Sequence, residues 1–274
     1  MTLKNILLAF QFLTIIPIKT TGEVSDKDIA DSSIFFPLVG VFQGLLLSAL
    51  SFISLRFFSE GITAAFIIFI YLLTNGGFHL DGLSDTFDAL SVKSTGNREK
   101  DIDKRLAVMK DSTVGPIGVA AICLMILMKY LLIREILVSS PGIGKYLLIF
   151  LMPVFSKWAV IPAAYHGKNV RTDGLGRIFL ENLNIRHLLL STAFMLVACL
   201  AAFFIYQRPA LFAPPSVSFG FFVFLLYEML VIYLFCLFFI TVLKGRFGGL
   251  TGDNLGAVHE ISELVFLIAA LLWR

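Results

Sequence analysis

The chain has 274 residues, of which 58% are hydrophobic and 15% charged, with 28 Phe. An average soluble domain carries about 25% charged residues. This composition therefore excludes a disordered chain, a basic nucleic-acid-binding protein and an ordinary water-soluble domain. The net charge of +3 selects no class of partner.

In chain order, the first apolar run extends from Asn5 to Ile18 and is closed by Pro17. It falls short of the roughly 20 residues that cross a bilayer. No small-residue cleavage site follows it, so it reads as an interfacial or re-entrant helix. Seven longer apolar stretches follow, at 34–55, 62–78, 114–133, 146–165, 188–206, 219–243 and 256–273. The second is short and stops at Asn75-Gly76-Gly77. No repeat or low-complexity linker divides the chain. The expected fold is one all-α membrane domain over residues 1–274, a bundle of about seven transmembrane helices plus the short N-terminal helix. Cys123, Cys199 and Cys236 lie inside apolar runs without metal-ligand spacing and read as small buried hydrophobes.

Positive charge tests this topology independently. Seven spans place the segment before the first span and the loops at 76–113, 166–187 and 244–255 on one side. That side holds fifteen Lys and Arg, against five on the other. The richer side is expected to face the cytoplasm.

Acidic residues concentrate in the same loops. In GGFHLDGLSDTFDAL, Asp81, Asp85 and Asp88 stand at i, i+4 and i+7. On a helix they fall within about 60° of one another. Like charges so placed destabilise a helix, and a divalent cation removes the repulsion. Hard oxygen ligands suit Mg²⁺ or Mn²⁺, with phosphate oxygens completing the shell. The competing reading is a solvated helix start whose carboxylates favour the dipole. His79 points to a different face and reads as structural.

A second polar segment, KGRFGGLTGDNLGAVHEISE, precedes the last span. Gly249 and Gly252 belong to a glycine-rich turn opening a helix, which either presents backbone N–H groups to phosphate or is a plain flexible turn. Lys244 and Arg246 add cations. Asp253 shares a helical face with Glu260, at i+7. Glu260 and Glu263 enter an apolar span, where ionisable groups are costly and usually functional. Lys110 and Asp111 stand in Met109-Lys110-Asp111-Ser112, and Arg171 lies in the 166–187 loop. Lys157 and Glu228 lie within spans and are expected to face the bundle interior. Lys129, near the outer end of the third span, is expected to snorkel.

The motifs GGFHLDGLSDTFDAL, MKDSTVGPIGV and GGLTGDNLGA, in this order and separation, resemble the cobalamin (5′-phosphate) synthases, also called adenosylcobinamide-GDP ribazoletransferases. The opening LLAFQFLTIIPI and the run FFPLVGVFQGLL extend the resemblance over nearly the whole chain. Ala89, where Gly is expected, and His259 depart from the pattern. The resemblance implies an enzyme of the bacterial or archaeal inner (cytoplasmic) membrane with a cytoplasm-facing site. Such an enzyme joins adenosylcobinamide-GDP and α-ribazole, or its 5′-phosphate, giving adenosylcobalamin or its 5′-phosphate and GMP with Mg²⁺. Its partners are the corrinoid and ribazole substrates and the lipid bilayer. No nucleic acid is implied, and a homo-oligomer stays open. On this reading Asp81, Asp85 and Asp88, with Glu260, hold one or two Mg²⁺ on the pyrophosphate. Asp253 completes the metal site or takes the proton of the attacking hydroxyl. Lys110, Asp111, Arg171, Arg246, Lys157, Gly249 and Gly252 bind substrate phosphate. Two alternatives remain at this point. One is a CDP-alcohol phosphotransferase, whose pattern wants Ala-Arg soon after Asp-Gly where Leu83-Ser84-Asp85 stand here. The other is an ion-coupled transporter using Lys157, Glu228 and Glu263.

Overall fold

The computed structural model describes residues 2–20, 22–207 and 215–273, the side chains of 215–218 excepted. The helices in chain order are α1 Leu3–Leu13, α2 Asp26–Ser32, α3 Phe36–Ser54, α4 Glu60–Asn75, α5 Phe78–Leu90 and α6 Arg98–Val108. They continue with α7 Pro116–Ser139, α8 Gly144–His166, α9 Leu175–Asn182, α10 Ile185–Gln207, α11 Pro215–Phe247 and α12 Gly252–Leu272. A single 3₁₀ turn, Ser33–Phe35, joins α2 to α3. The only β feature among the described residues is an isolated parallel bridge between Asn169 and Leu250.

Six helices are long and apolar enough to cross a membrane: the α2–α3 run, α7, α8, α10, α11 and α12. The seventh expected span is α4, which has 16 residues and meets α5 at a bend of 90°. Gly76 and Gly77 make that bend with φ of 65° and 75°, backbone that favours glycine. At 13 residues, α5 is too short to span by itself and packs against α12 and α7. The N-terminal run forms the short helix α1, which ends at Leu13, well before Pro17. The last polar loop is shorter than expected, because α11 runs on to Phe247.

The centre of the bundle is α8, nearly all of whose spanning residues are buried. It crosses α3 closely. A Cβ on Gly40 would lie 2.5 Å from the Pro153 carbonyl oxygen, and one on Gly44 2.2 Å from that of Phe150. Backbones this near leave no room for a side chain, and small residues are how membrane helices reach such separations.

The loops predicted to share one side do meet at one end of the bundle. Lys244 donates to the His166 carbonyl at 2.6 Å. His187 faces Asp31 at 3.1 Å, and Lys110 pairs with Asp173 at 3.0 Å. Two sequence expectations are corrected. Cys199 and Cys236 are buried, but Cys123 is exposed on the outside of α7. Lys129 does not snorkel. It sits mid-helix in α7, only 3% exposed, because two carboxylates of α12 hold it inside.

Candidate active site

The site is built where α5 crosses the start of α12. A Cβ on Gly82 would lie 2.7 Å from the Asp253 carbonyl oxygen. Gly256 lies under the backbone of His79, and a Cβ there would be 3.3 Å from its oxygen. Asn254 fastens the crossing by donating to Thr86 Oγ1 at 3.0 Å. Asn254 also forms a capping box with Thr251 at the head of α12. The glycines of the first and last motifs thus allow Asp81, Asp85 and Asp253 to share one wall.

Arg171 reaches the same wall through the parallel bridge. Leu250 donates to the Lys168 carbonyl at 2.7 Å, and Val170 donates to the Leu250 carbonyl at 3.2 Å. Gly249 permits this pairing, since a Cβ there would meet the Lys168 oxygen at 2.3 Å. Gly252 packs against Gly176, whose own Cβ would meet it at 2.3 Å. These two glycines of the last motif therefore serve close backbone approach. The result is an ion pair between Arg171 Nη1 and Asp253 Oδ2 at 2.8 Å. Arg171 Nε and Nη2 are buried and have no partner. A guanidinium with two orphaned donors is an incomplete arrangement, and phosphate oxygens satisfy it.

Asp81 is exposed and Asp85 half-buried. Neither makes a hydrogen bond or ion pair among the described residues. Burial, then the neighbouring carboxylates of Asp81 and Asp253, push Asp85 up from its ordinary 3.8 to about 6. Three carboxylates against one guanidinium leave two uncompensated negative charges. This oxygen-only donor set fits a hard divalent cation.

Asp88 stands apart from the triad predicted from spacing. Its Oδ2 accepts from Gly115 N at 2.7 Å and its Oδ1 from Gly118 N at 2.8 Å. Both oxygens therefore cap the N-terminus of α7, which is a structural use of the carboxylate. The glycines of the middle motif belong to this cap. A Cβ on Gly115 would lie 2.5 Å from Asp88 Oδ1, and one on Gly118 2.2 Å from Ser84 Oγ.

Asp81 and Asp253 line a cleft of about 420 Å³ between α1, α5, α9 and α12. Its other wall carries Phe12, Phe36 and Phe179. Phe179 meets Phe12 and Phe36 edge-on, with centroids 5.1 and 5.5 Å apart. His79 also lines the cleft and stacks on His259 at 3.9 Å. Beyond His259 lies a buried network. Lys129 joins Glu260 and Glu263. Tyr71 donates to Glu263 at 2.6 Å, and Lys157 donates to Asn75 at 3.2 Å.

The structure thus brings together Asp81, Asp85, Asp253 and Arg171. Lys110 lies near them, pairing with Asp173 on a shallow pocket that Arg171 also lines. Asp111 turns to Thr113 instead, accepting from its N–H at 2.9 Å. Arg246 does not line the cleft; it lines a different pocket, with Arg98, Asp101 and Arg105 of α6. Glu260 and Lys157 are absorbed in the buried network, away from the acidic wall. Glu228 is buried as expected. His79, His259 and Glu260 offer ligand atoms within 4.8 Å of one another. That set is rich in nitrogen, and Lys129 and Lys157 already balance Glu260 and Glu263, so it does not suit Mg²⁺. Sequence reasoning passed over Phe12, Phe36, Phe179 and His79. They are scattered over four helices, α1, α3, α5 and α9, and only folding assembles them.

This arrangement defines a class: a polytopic α-helical membrane protein with a cluster of carboxylates facing one arginine at one end of the bundle. The family can now be stated. A family model described as Cobalamin-5-phosphate synthase matches residues 5–271, and the chain belongs to that family. It is 37% identical over 270 residues to the adenosylcobinamide-GDP ribazoletransferase of Thermodesulfovibrio yellowstonii, covering 98% of this chain and 96% of the relative. It is 34% identical over 277 residues to the protein of that name from Thermoanaerobacter sp., covering 97% and 96%. The enzyme of that name from Clostridium tetani is 31% identical over 271 residues, with 98% and 97% covered. No solved structure matches the chain.

Proposed function

We propose that this protein transfers a cobinamide phosphate from adenosylcobinamide-GDP to α-ribazole or its 5′-phosphate, releasing GMP, with Mg²⁺ as cofactor. The relatives' shared name supports the overall transfer. The observation that carries the mechanism is the convergence of Asp81, Asp85 and Asp253 opposite an Arg171 with two unsatisfied donors.

A free ribose hydroxyl of the ribazole, not its 5′-position, attacks the cobinamide-side phosphorus. A P–O bond forms, the bond to GMP breaks, and a 5′-phosphate, where the acceptor carries one, passes unchanged into the product. Such a transfer needs charge neutralisation and in-line placement more than covalent help. Asp81 and Asp85 would hold the Mg²⁺, which when bound would neutralise pyrophosphate charge and support the leaving phosphate. Arg171 Nε and Nη2 bind the transferring phosphate. Asp253, oriented by Nη1 of the same guanidinium, takes the hydroxyl proton. Lys110 adds positive potential where GMP departs.

The phenylalanine wall suits the flat aromatic base of the ribazole. A cleft of about 420 Å³ holds a nucleoside-sized group, and the much larger corrin ring stays at its mouth. The fifteen-to-five charge bias supports placing this end in the cytoplasm.

The test is GMP release and corrinoid product from purified protein given adenosylcobinamide-GDP, α-ribazole 5′-phosphate and Mg²⁺. EDTA is expected to abolish turnover, and Asp85→Asn to abolish it at limiting Mg²⁺ and to need more Mg²⁺ for what remains. Asp85→Asn with wild-type turnover at limiting Mg²⁺ would refute the metal role. Absence of product from folded wild-type protein would refute the transfer.

A further inference from the structure

A second pocket, of about 560 Å³, lies between α6 and the end of α11. Arg98, Asp101 and Arg105 line it from α6, and Thr241, Val242, Gly245 and Arg246 from the end of α11. At 100° per residue, positions 98, 101 and 105 fall within about 60° of one another. Asp103 and Ala107, which line the pocket beside Arg171, lie on the opposite side of the helix. The two sites are therefore distinct.

The charges of this pocket are three arginines and one aspartate, a net +2. Asp101 is already engaged: Thr95 donates to it from N at 2.8 Å and from Oγ1 at 2.7 Å, and Ser94 donates as well. Arg105 is 5% exposed and donates from Nη1 to the Arg246 carbonyl at 2.9 Å. Its Nε is buried with no partner. A buried guanidinium N–H left unmade is costly, and an anion in the pocket satisfies it.

The apolar surface beside the pocket indicates where that anion comes from. Leu226, Leu230, Leu234, Phe238 and Val242 are all exposed, Phe238 at 68%. Spaced by four, they form one row that drifts slowly around α11. The row is about 24 Å long, most of the hydrocarbon thickness, and it ends at Val242 inside the basic pocket. The pocket also lies at the Lys/Arg-rich end of the bundle, where anionic lipid headgroups meet a membrane protein.

We propose that this pocket binds the phosphate of an anionic phospholipid, whose acyl chains lie along the exposed row of α11. Phosphate is the recognised chemistry, and the continuous apolar row selects lipid over a free phosphate or nucleotide.

The experiment is native mass spectrometry of detergent-purified protein with added phosphatidylglycerol or phosphatidylcholine, alongside thermal unfolding. Wild type is expected to retain one phosphatidylglycerol preferentially and to gain several degrees in Tm. Arg98→Gln/Arg246→Gln is expected to lose both effects, and Arg98→Lys/Arg246→Lys to keep them. Equal retention of the two lipids by wild type overturns the proposal, as does undiminished retention of phosphatidylglycerol by the Gln variant. If millimolar inorganic phosphate or GMP reproduces the Tm shift without lipid, the site is one for soluble phosphate and the lipid assignment fails. The wild-type comparisons decide the matter even if the Gln variant does not fold.

Discussion

Replacing Asp88 by Asn separates two accounts of the acidic helix. As a metal ligand, Asp88 would lose affinity for Mg²⁺ and leave the fold intact. In the structure both its oxygens accept backbone N–H groups of α7, at 2.7 and 2.8 Å, in a buried setting. An amide keeps only one acceptor oxygen and turns its own N–H₂ toward the second donor. The loss is one hydrogen bond to a charged acceptor, about 1.5–3 kcal/mol. To this is added the charge–dipole attraction at the N-terminus of α7, about 0.3–1 kcal/mol and more where partly buried. Asp88→Asn is therefore expected to destabilise the protein by about 2–4 kcal/mol. Thermal unfolding in detergent should show a clear drop in Tm, and GMP release titrated with Mg²⁺ should keep its half-saturation point. Asp85→Asn should give the reverse pattern. If Asp88→Asn kept the wild-type Tm but raised the Mg²⁺ requirement as Asp85→Asn does, the capping argument would be wrong.

Gly82→Val should act on activity before stability. Its Cβ would lie 2.7 Å from a backbone oxygen of α12, so the helices must part and carry Asp81 away from Asp253. A shift of about 1 Å can cost roughly 10²-fold in turnover, which kcat against Tm would show. Lys129→Met leaves Glu260 and Glu263 buried without their shared cation, a loss of about 3–5 kcal/mol. Adding Glu263→Gln to Lys129→Met should recover part of it, and a second loss equal to the first would refute the coupling. Asp85, raised from 3.8 to about 6, makes the metal-free protein bind more protons folded than unfolded across that window. Its stabilising contribution is full below about pH 4 and disappears as pH rises through 6. Tm measured in EDTA should carry this downward component, Mg²⁺ should offset it, and Asp85→Asn should lack it. A pH profile identical in wild type and variant would refute the assignment.

The spans were legible because a bilayer imposes a length and a composition that no other environment requires. All seven stretches contain a helix of the structure. The glycine stop after Asn75 was visible too, since two adjacent glycines end a helix by themselves. The partition of the acidic residues was not visible. Helical spacing places Asp81, Asp85 and Asp88 on one face, but does not reveal that the start of α7 lies beside the last of them. That depends on Gly115 and Gly118, which look in sequence like ordinary helix-start residues. Arg171 was named from its charge, and its route to Asp253 is a single bridge between two loops. Lys129 was misread because distance from a span's end was judged by counting residues, while its partners on α12 are more than a hundred residues away.

The break between α4 and α5 gives the buried charges a structural meaning. A helix that stops inside the bundle leaves backbone and side-chain polar groups without water, and each must find a partner. Here the Thr74 carbonyl accepts from Ile15 N at 3.0 Å. Gln43 of α3 reaches Asn75 at 2.8 Å, and Lys157 of α8 reaches the same side chain from the other side. Tyr71, one turn earlier, is tied through Glu263 and Lys129 to α12 and α7. The network thus holds the last turn of α4 against four other helices. The bend that follows sets the direction in which α5 leaves, and Asp81 lies only one turn into α5. A straight second span would carry Asp81 and Asp85 along the bundle axis, away from Asp253. Lys157 and Glu263, which the sequence also offers to an ion path, are on this geometry part of the fixed base from which the acidic wall projects.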